Sequence, residues 1–204
     1  MNPHFLFNSL NTIASLVNEA PHIAEEMTVQ LAEMYRSMLA ASKKPLQSLA
    51  EELELCQTYL AVEHIRFGDR LTTTIDLDLD APTSEIMIPP LVVQPLIENA
   101  LKYAIAPRSK GGIVRISVRS SAEAIEIAVE DDGPGFGNSP VRGGMGTTIE
   151  NCRQRLRMYF GAKADLMIGP AEREGTITTI RIPVPGEAAL RKRSNDDLAG
   201  PSGR

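Results

Sequence analysis

The sequence predicts an α+β protein in which a helical hairpin precedes a domain built from strands and further helices. Residues 3–42 carry apolar side chains at spacings of three and four, which is typical of helices packed on one side. From residue 71 onwards, short stretches rich in alternating apolar residues are separated by two helix-like stretches. At 204 residues with 43% hydrophobic content, the chain is long enough for one medium-sized core and a smaller helical part.

Composition excludes several classes of function. The formal net charge of −5 gives no basic surface of the kind that binds nucleic acid or an anionic membrane. Aromatic residues make up only 4% and tryptophan is absent, so stacking platforms for bases are not expected either. Cys56 and Cys152 stand far apart and are predicted to be reduced thiols of a cytoplasmic protein. No apolar run reaches the roughly 18 residues of a membrane span, so no membrane contact is expected within this chain.

Two amphipathic helices are predicted for residues 3–18 and 22–42, separated by Glu19-Ala20-Pro21. The first helix is expected to bury one apolar stripe and to present a polar stripe on its other side. These stripes are Leu6, Leu10, Ile13, Val17 and His4, Asn8, Asn11, Ser15. The second helix carries a stripe made of Ile23, Met27, Leu31, Met34 and Met38. Because such a hairpin has more apolar surface than it can bury alone, we predict a homodimeric four-helix bundle.

His4 lies on the polar stripe near a helix start, where the positive end of the helix disfavours a protonated ring. A neutral imidazole is a nucleophile, so one interpretation is that His4 takes part in a reaction. An ordinary surface histidine is the alternative, and it is the interpretation preferred for His22 and His64.

The rest of the chain alternates between the two element types. A third helix is predicted for residues 49–67. The other predicted elements are strands 71–79, 113–119, 124–130, 164–168 and 176–182 and helices 91–105 and 148–160. We divide the chain into residues 1–45, 46–183 and 184–204. The last segment is polar and is expected to be disordered.

The helix predicted for residues 91–105 separates its side chains into two faces. An apolar arc contains Leu96, Ile97, Ala100, Leu101 and Ala104, and the opposite face contains Glu98, Asn99, Lys102 and Tyr103. An amide, an amine and a carboxylate within one turn suit a site that holds a hydrated Mg²⁺ together with phosphate oxygens. A solvated polar face is the alternative.

The strand predicted to end near residue 130 places an aspartate on its buried face. Ile125, Ile127 and Val129 share that face, and counting on by two adds Asp131, whereas Asp132 is predicted to face solvent. A buried carboxylate needs a partner because an unpaired charge is costly to bury. The amino group of adenine is such a partner.

Glycines are dense directly after this strand, at positions 133, 135, 137, 143, 144 and 146. Glycine lets a backbone approach phosphates closely and lets a loop open and close. A flexible linker is the alternative interpretation. The position before a helix start favours an anion site, because helix N-termini attract anions.

Four motifs in this sequence resemble those of the LytS-type sensor histidine kinases. NPHFLFN at residues 2–8 resembles the phosphoacceptor box, in which His4 matches the histidine that receives the γ-phosphoryl group of ATP. PLVVQPLIENALKYAI is similar to the N-box, where the resemblance assigns Asn99 to Mg²⁺ and Lys102 to phosphate. DDGPG at residues 131–135 resembles the G1 box, whose aspartate, here Asp131, binds adenine. GMGTTIENCRQRL at residues 144–156 is similar to the G2 box.

This resemblance implies a Bergerat-type α/β sandwich with a mixed β-sheet and helices on one face, as in the gyrase, histidine kinase and MutL superfamily. It also implies ATP and Mg²⁺ as cofactors, and a response-regulator receiver domain as partner. Residues 1–45 would then be the dimerisation and phosphoacceptor helices, and 46–183 the ATP-binding domain. The remaining nucleotide-contacting residues implied by the motifs are Tyr103, Gly133, Gly135, Gly144, Gly146 and Thr148. A sensor region upstream, anchored in the inner membrane, is expected of the full-length protein.

The sequence departs from the family pattern at three places. Tyr103 stands where the family usually has histidine, and Thr148 where it has the last glycine of the G2 box; the Thr148 hydroxyl can instead cap the following helix. Phe5 stands where many other histidine kinases have an acidic neighbour, so Glu98 is the candidate group that orients or deprotonates His4. Two alternatives stay open: a non-catalytic dimeric scaffold that binds a response regulator, and a related ATPase or serine kinase.

Overall fold

The computed structural model describes residues 3–135 and 145–184. It confirms the predicted fold class: a helical N-terminal part is followed by a mixed five-stranded sheet that is covered by helices. Within these two ranges the α-helices are α1 (Pro3–Glu19), α2 (Pro21–Ser42), α3 (Leu49–Phe67), α4 (Gln94–Ala100) and α5 (Met145–Phe160). The strands of the described residues are β1 (Gln47–Ser48), β2 (Leu71–Asp78), β3 (Met87–Ile88), β4 (Gly112–Ser120), β5 (Ala124–Asp131), β6 (Asp165–Pro170) and β7 (Thr176–Pro183).

The sheet has the strand order β2-β4-β5-β7-β6, in which β2 and β4 are parallel and the other neighbours are antiparallel. Strands β1 and β3 form a separate two-stranded ladder. Apolar residues on one face of the large sheet are buried beneath α3, α4 and α5. Val114, Ile116 and Val118 of β4 and Ile125, Ile127 and Val129 of β5 belong to this buried layer. Cys56 and Cys152 are free and buried, as expected.

Helix α3 begins with a complete capping box. Ser48 accepts the Glu51 N–H at 3.2 Å, and the Glu51 side chain accepts the Ser48 N–H at 2.9 Å. This reciprocal pair satisfies two backbone donors at the helix start. The helix then packs against α1 and α2 on one side and against α4 and β2 on the other, so it connects the hairpin to the sheet.

The predicted apolar stripe of α1 is only partly correct. Leu10 and Val17 are 48% and 52% exposed, whereas the buried positions are Phe5 and Ser9. The helix is rotated because α3 and α2 both pack on its Phe5 side, where Leu6, Ile13 and Leu16 are half-buried. Ser9 is accommodated inside because its hydroxyl donates to the Phe5 carbonyl at 2.9 Å.

The methionine stripe of α2 is buried within this chain, by α1 and α3. Met27, Leu31, Met34 and Met38 are all buried, while Ile23 is half-buried. The apolar side chains that stay exposed on the hairpin are a different set: Phe7, Leu10, Val17, Val29 and Leu39.

Three further details differ from the sequence expectations. The helix predicted from residue 91 begins at Gln94, because Leu91 has a φ of 56° after the two prolines and cannot continue a right-handed helix. The predicted surface residue His64 is half-buried, and its Nε2 lies 2.9 Å from the Thr73 hydroxyl of β2. The polar tail predicted for residues 184–204 lies, beyond residue 184, outside the described residues.

Candidate active site

A buried carboxylate on α3 holds the start of α4. Glu52 is fully buried and accepts the backbone N–H groups of Leu91 at 2.7 Å, Val93 at 2.8 Å and Gln94 at 3.2 Å. The first N–H groups of a helix have no partner within the helix and carry partial positive charge, so a carboxylate there is stabilising. Burial raises the pKa of Glu52, and these hydrogen bonds oppose the rise.

Helix α4 continues through a π-helical turn, Leu101–Ile105, closed by a 2.8 Å hydrogen bond from the Ala106 N–H to the Leu101 carbonyl. Such turns occur mostly as single bulges and often at functional sites. Glu98, Asn99 and Lys102 are half-buried, opposite the buried apolar arc, as predicted.

Tyr103 was predicted on this polar face, and that prediction is wrong. The side chain is 5% exposed and belongs to the interior. It follows Leu96 by seven residues, which places it at the edge of the apolar arc, and the wider π-helical turn changes the side-chain directions after Leu101. The Lys102 ammonium lies 4.8 Å from the centre of the Tyr103 ring, a cation–π distance.

Asp131 ends β5 with its side chain buried, as strand parity predicts. Its Oδ1 accepts the N–H of Gly133 at 2.9 Å and that of Thr176 at 3.2 Å. Burial raises the pKa of this carboxyl group, and the two backbone hydrogen bonds lower it. These bonds fix the carboxylate at the edge of the sheet next to the π-helical turn.

Gly133 is the point where the loop after β5 meets that turn. A Cβ atom added here would lie 2.4 Å from the Ala104 Cβ and 2.8 Å from Asp131 Oδ1, so the space accepts only glycine. On α4, the Asn99 Nδ2 is buried without a hydrogen-bond partner among the described residues. A buried amide without a partner is costly, which is the expected state of a group that a polar ligand satisfies. These residues therefore fit a nucleotide and its bound cation.

Asp132 was predicted to face solvent, but its side chain is half-buried. Its Oδ1 lies 2.8 Å from Arg108 Nη1 and accepts the Ile113 N–H at 3.0 Å. Parity fails here because Asp132 lies beyond the last ladder position of β5, so its direction is set by the loop that connects α4 to β4. A Cβ at Gly112 would lie 2.2 Å from the same oxygen, which explains the glycine at that position.

A cavity of about 580 Å³ lies where α1, α3 and α4 meet. It brings the N-terminal histidine together with two predicted residues of α4, Glu98 and Lys102. The described residues around it are His4, Phe5, Asn8, Tyr59, Glu63, Arg66, Glu98, Leu101, Lys102, Ala106 and Pro107. Asp131 and Gly133 lie apart from this cavity, at the far end of the π-helical turn.

The position of His4 is fixed by its neighbours on α1. The next residue, Phe5, packs its ring 4.9 Å from that of Tyr59, which attaches the start of α1 to α3. One turn later, the Asn8 Nδ2 lies 3.2 Å from His4 Nδ1. The imidazole itself is exposed at the cavity.

The glycine-rich segment is described only at its two ends. Gly135 has a φ of 89°, in the left-handed region that favours glycine. Gly137, Gly143 and Gly144 lie outside the described residues. Gly146 and Thr148 lie within α5, which begins at Met145. The expectation that Thr148 caps this helix is therefore wrong, because the helix starts three residues before it.

Sequence reasoning missed Glu52, Glu63 and the Asp132–Arg108 pair. Each glutamate sits within the apolar stripe of α3, flanked at helical spacing by buried residues. A carboxylate at such a position signals an internal partner, because a charge is not buried without one. The pattern does not identify the partner, which is contributed by another part of the chain.

Two family models match this chain, one to each part of the fold. Residues 1–71 match the model described as "Histidine kinase", and residues 89–186 match "Histidine kinase-, DNA gyrase B-, and HSP90-like ATPase". The two ranges together contain the exposed His4, the N-box side chains of α4 and the buried Asp131. The chain belongs to the histidine kinase family.

Two sensor proteins align with nearly the whole chain. The sensor protein LytS of Staphylococcus haemolyticus is 35% identical over 193 residues, which are 90% of this chain and 32% of that protein. The sensor histidine kinase YesM of Bacillus subtilis is 34% identical over 191 residues, 92% of this chain and 32% of that protein. The chain therefore spans about a third of the length of these relatives.

Solved structures share the fold. The histidine kinase domain of a blue-light activated histidine kinase from Erythrobacter litoralis superposes with a TM-score of 0.51 at 23% identity, covering 87% of this chain and 83% of that one. The histidine kinase AdeS of Acinetobacter baumannii gives a TM-score of 0.50 at 17% identity, covering 85% and 84%. Among the described helices, none has the length and apolar character needed to cross a membrane.

Proposed function

We propose that this chain is the kinase portion of a two-component sensor protein, which uses ATP to phosphorylate its own His4 and passes the phosphoryl group to an aspartate of a response regulator. One observation carries the proposal: His4 and the α4 residues Glu98 and Lys102 line a single cavity. Phosphoryl transfer depends mainly on positioning and charge neutralisation, and this cavity offers both.

We assign the roles of the nucleotide-binding residues from the motifs that this sequence shares with the family. The buried Asp131 carboxylate accepts the amino group of adenine, and Asn99 holds Mg²⁺, whose charge neutralises the phosphate oxygens. Lys102 contacts phosphate from the cavity side. The backbone at Gly133 and Gly135, with Gly144, Gly146 and Thr148, surrounds the phosphate chain. Tyr103 supports Lys102 from the interior rather than contacting phosphate.

The exposed apolar side chains of the hairpin support a homodimer as part of this function. We also propose that residues 1–45 serve as the phosphoacceptor and dimerisation segment and residues 46–183 as the ATP-binding domain. The region works in the cytoplasm, and a membrane-anchored sensor is contributed by the rest of a longer protein.

Labelling with γ-³²P-ATP tests the proposal. Wild type should acquire a label that is lost in acid and retained in alkali, whereas His4→Ala should acquire none. His22→Ala is the matched control, because His22 is an exposed histidine of the same hairpin, and it should label normally.

An unlabelled wild type would contradict the kinase assignment. Calorimetry with ATP then separates the two alternatives: no binding indicates a scaffold, whereas binding with release of inorganic phosphate indicates an ATPase. An acid-stable label would instead indicate a serine kinase.

A further inference from the structure

The cavity beside His4 contains a second carboxylate, which belongs to none of the four motifs. Glu63 of α3 lines the cavity together with His4 and Glu98, although it is only 1% exposed. The motifs supply a nucleophile and a phosphoryl donor, but position 5, directly after the histidine, is Phe5 and cannot take a proton. A group that accepts the imidazole proton must therefore come from elsewhere in the fold, and the cavity offers two carboxylates: Glu98, the candidate from the N-box, and Glu63.

Glu63 is held in place by two neighbours on its own helix. The Tyr59 hydroxyl donates to Oε1 at 3.2 Å, and the Arg66 guanidinium lies 2.8 Å from Oε2. That second contact is an ion pair without hydrogen-bond alignment, so Oε2 accepts no hydrogen bond among the described residues. Tyr59 also carries the ring on which Phe5 packs. The residue after the histidine thus docks α1 onto the helix that carries Glu63.

We propose that Glu63 is the proton acceptor for His4 during autophosphorylation, directly or through one water molecule in the cavity. This inference rests on the proposed kinase function. In the step, the lone pair of one ring nitrogen bonds to the γ-phosphorus while the bond from phosphorus to the bridging oxygen breaks, and that electron pair leaves with ADP. The proton of the other ring nitrogen passes to the Glu63 carboxylate, which leaves a neutral phosphohistidine ring.

The environment of Glu63 suits an exchange of protons near neutral pH. Burial raises its pKa to about 7, against the lowering effect of Arg66 and the Tyr59 hydrogen bond, and Glu98 adds to the rise. A proton acceptor is most effective when its pKa lies near the working pH. The titratable and charged groups that line the cavity with Glu63 are His4 of α1, Tyr59 and Arg66 of α3, Glu98 of α4 and Lys102 of the π-helical turn.

The test compares initial labelling rates of the full chain carrying single substitutions. Glu63→Gln keeps the size of the side chain but cannot accept the proton, so labelling should slow by about 10²-fold or more. Glu63→Asp should recover part of the rate. Glu54→Gln makes the same change at an exposed position of α3 and should label at the wild-type rate. Calorimetry with ATP should give affinities within about twofold of wild type for all three.

Chemical rescue distinguishes proton acceptance from a structural role. Glu63→Ala leaves space beside a cavity, so added formate should restore labelling in proportion to its concentration, whereas sodium chloride at the same ionic strength should not. If Glu63→Gln labels at the wild-type rate, or if formate does not raise the slow labelling rate of Glu63→Ala, this inference is overturned while the kinase assignment stands. A wild type without label overturns the kinase assignment itself.

Discussion

At the scale of single residues, buried acidic groups lie where separate elements meet. Glu52 connects α3 to the start of α4, Glu63 lines the same cavity as the α1 histidine, and Asp131 joins β5 to β7 through the Thr176 N–H. Burial raises the pKa of all three carboxyl groups. Burying the charged form of each carboxyl group therefore costs free energy in the folded protein, and the local hydrogen bonds offset this cost.

The raised pKa of Glu63 predicts that the stability of the folded protein depends on pH. Its pKa is about 7 in the folded chain against 4.5 as an ordinary glutamate, so the folded state binds the proton more tightly. Stability should fall as pH rises from about 4.5 to 7. One pKa unit corresponds to about 1.4 kcal/mol, so the loss is at most roughly 3–4 kcal/mol. Urea unfolding of wild type and Glu63→Gln across this range measures the difference. Parallel curves would contradict the prediction.

Gly133 provides a steric prediction at the proposed nucleotide site. Gly133→Ala places a methyl group against Ala104 and Asp131, so we expect a loss of about 1–3 kcal/mol in unfolding free energy. ATP affinity should fall as well, because the Asp131 carboxylate must shift. Gly169→Ala is the control: a Cβ there meets nothing within 4 Å, and its effect on both measurements should be small. Equal effects of the two substitutions would show that the close contact is not restrictive.

At the scale of elements, α1 has three faces instead of the two that the sequence suggested. Phe5 and Ser9 face inward, the stripe with His4 and Asn8 borders the cavity, and Phe7, Leu10 and Val17 form a third, exposed apolar stripe. The apolar stripe predicted from the sequence combined half-buried positions with exposed ones. Periodicity shows how apolar side chains repeat along a helix, but it does not show which neighbouring element covers them.

The third stripe predicts the dimer interface. In multi-angle light scattering we expect a homodimer for wild type and a shift to monomer for Leu10→Glu, because a charge on an apolar contact surface is costly to bury. Ser15→Glu introduces the same charge on the polar stripe of α1 and should leave the dimer intact. A wild-type monomer, or a Leu10→Glu dimer as tight as wild type, would show that this stripe is not the interface.

Much of the fold was predictable where the signal was local. The alternation of apolar residues predicted the strands of the large sheet correctly. The buried arc of α4 and the inward direction of Asp131 were also predicted correctly. Strands β1 and β3 have two residues each and so have no period to detect. The π-helical turn that carries Tyr103 inward, and the Arg108 that captures Asp132, depend on contacts between distant residues. No pattern within one element encodes those contacts.

At the scale of the whole molecule, the proposed phosphoacceptor His4 and two side chains of the N-box of the same chain line one cavity. His4 enters from α1, while Glu98 and Lys102 come from α4 and its π-helical turn. The docking of Phe5 on Tyr59 and the packing of α3 against both α2 and α4 keep the two parts of this one chain together. This arrangement favours phosphoryl transfer within a protomer over transfer between protomers.

Mixed dimers test this prediction. Pairing His4→Ala with Asp131→Asn leaves one chain with a nucleotide site and the other with a histidine, so transfer within a protomer predicts no label on the Asp131→Asn chain. The control pair joins wild type with a chain that carries both His4→Ala and Asp131→Asn, so the dimer contains the same two substitutions. Transfer within a protomer predicts that its wild-type chain is labelled. An affinity tag on one chain establishes that subunits have exchanged in both mixtures. Label on the Asp131→Asn chain, together with an unlabelled wild-type chain in the control heterodimer, would establish transfer between protomers instead, with the cavity of one chain receiving the histidine of its partner.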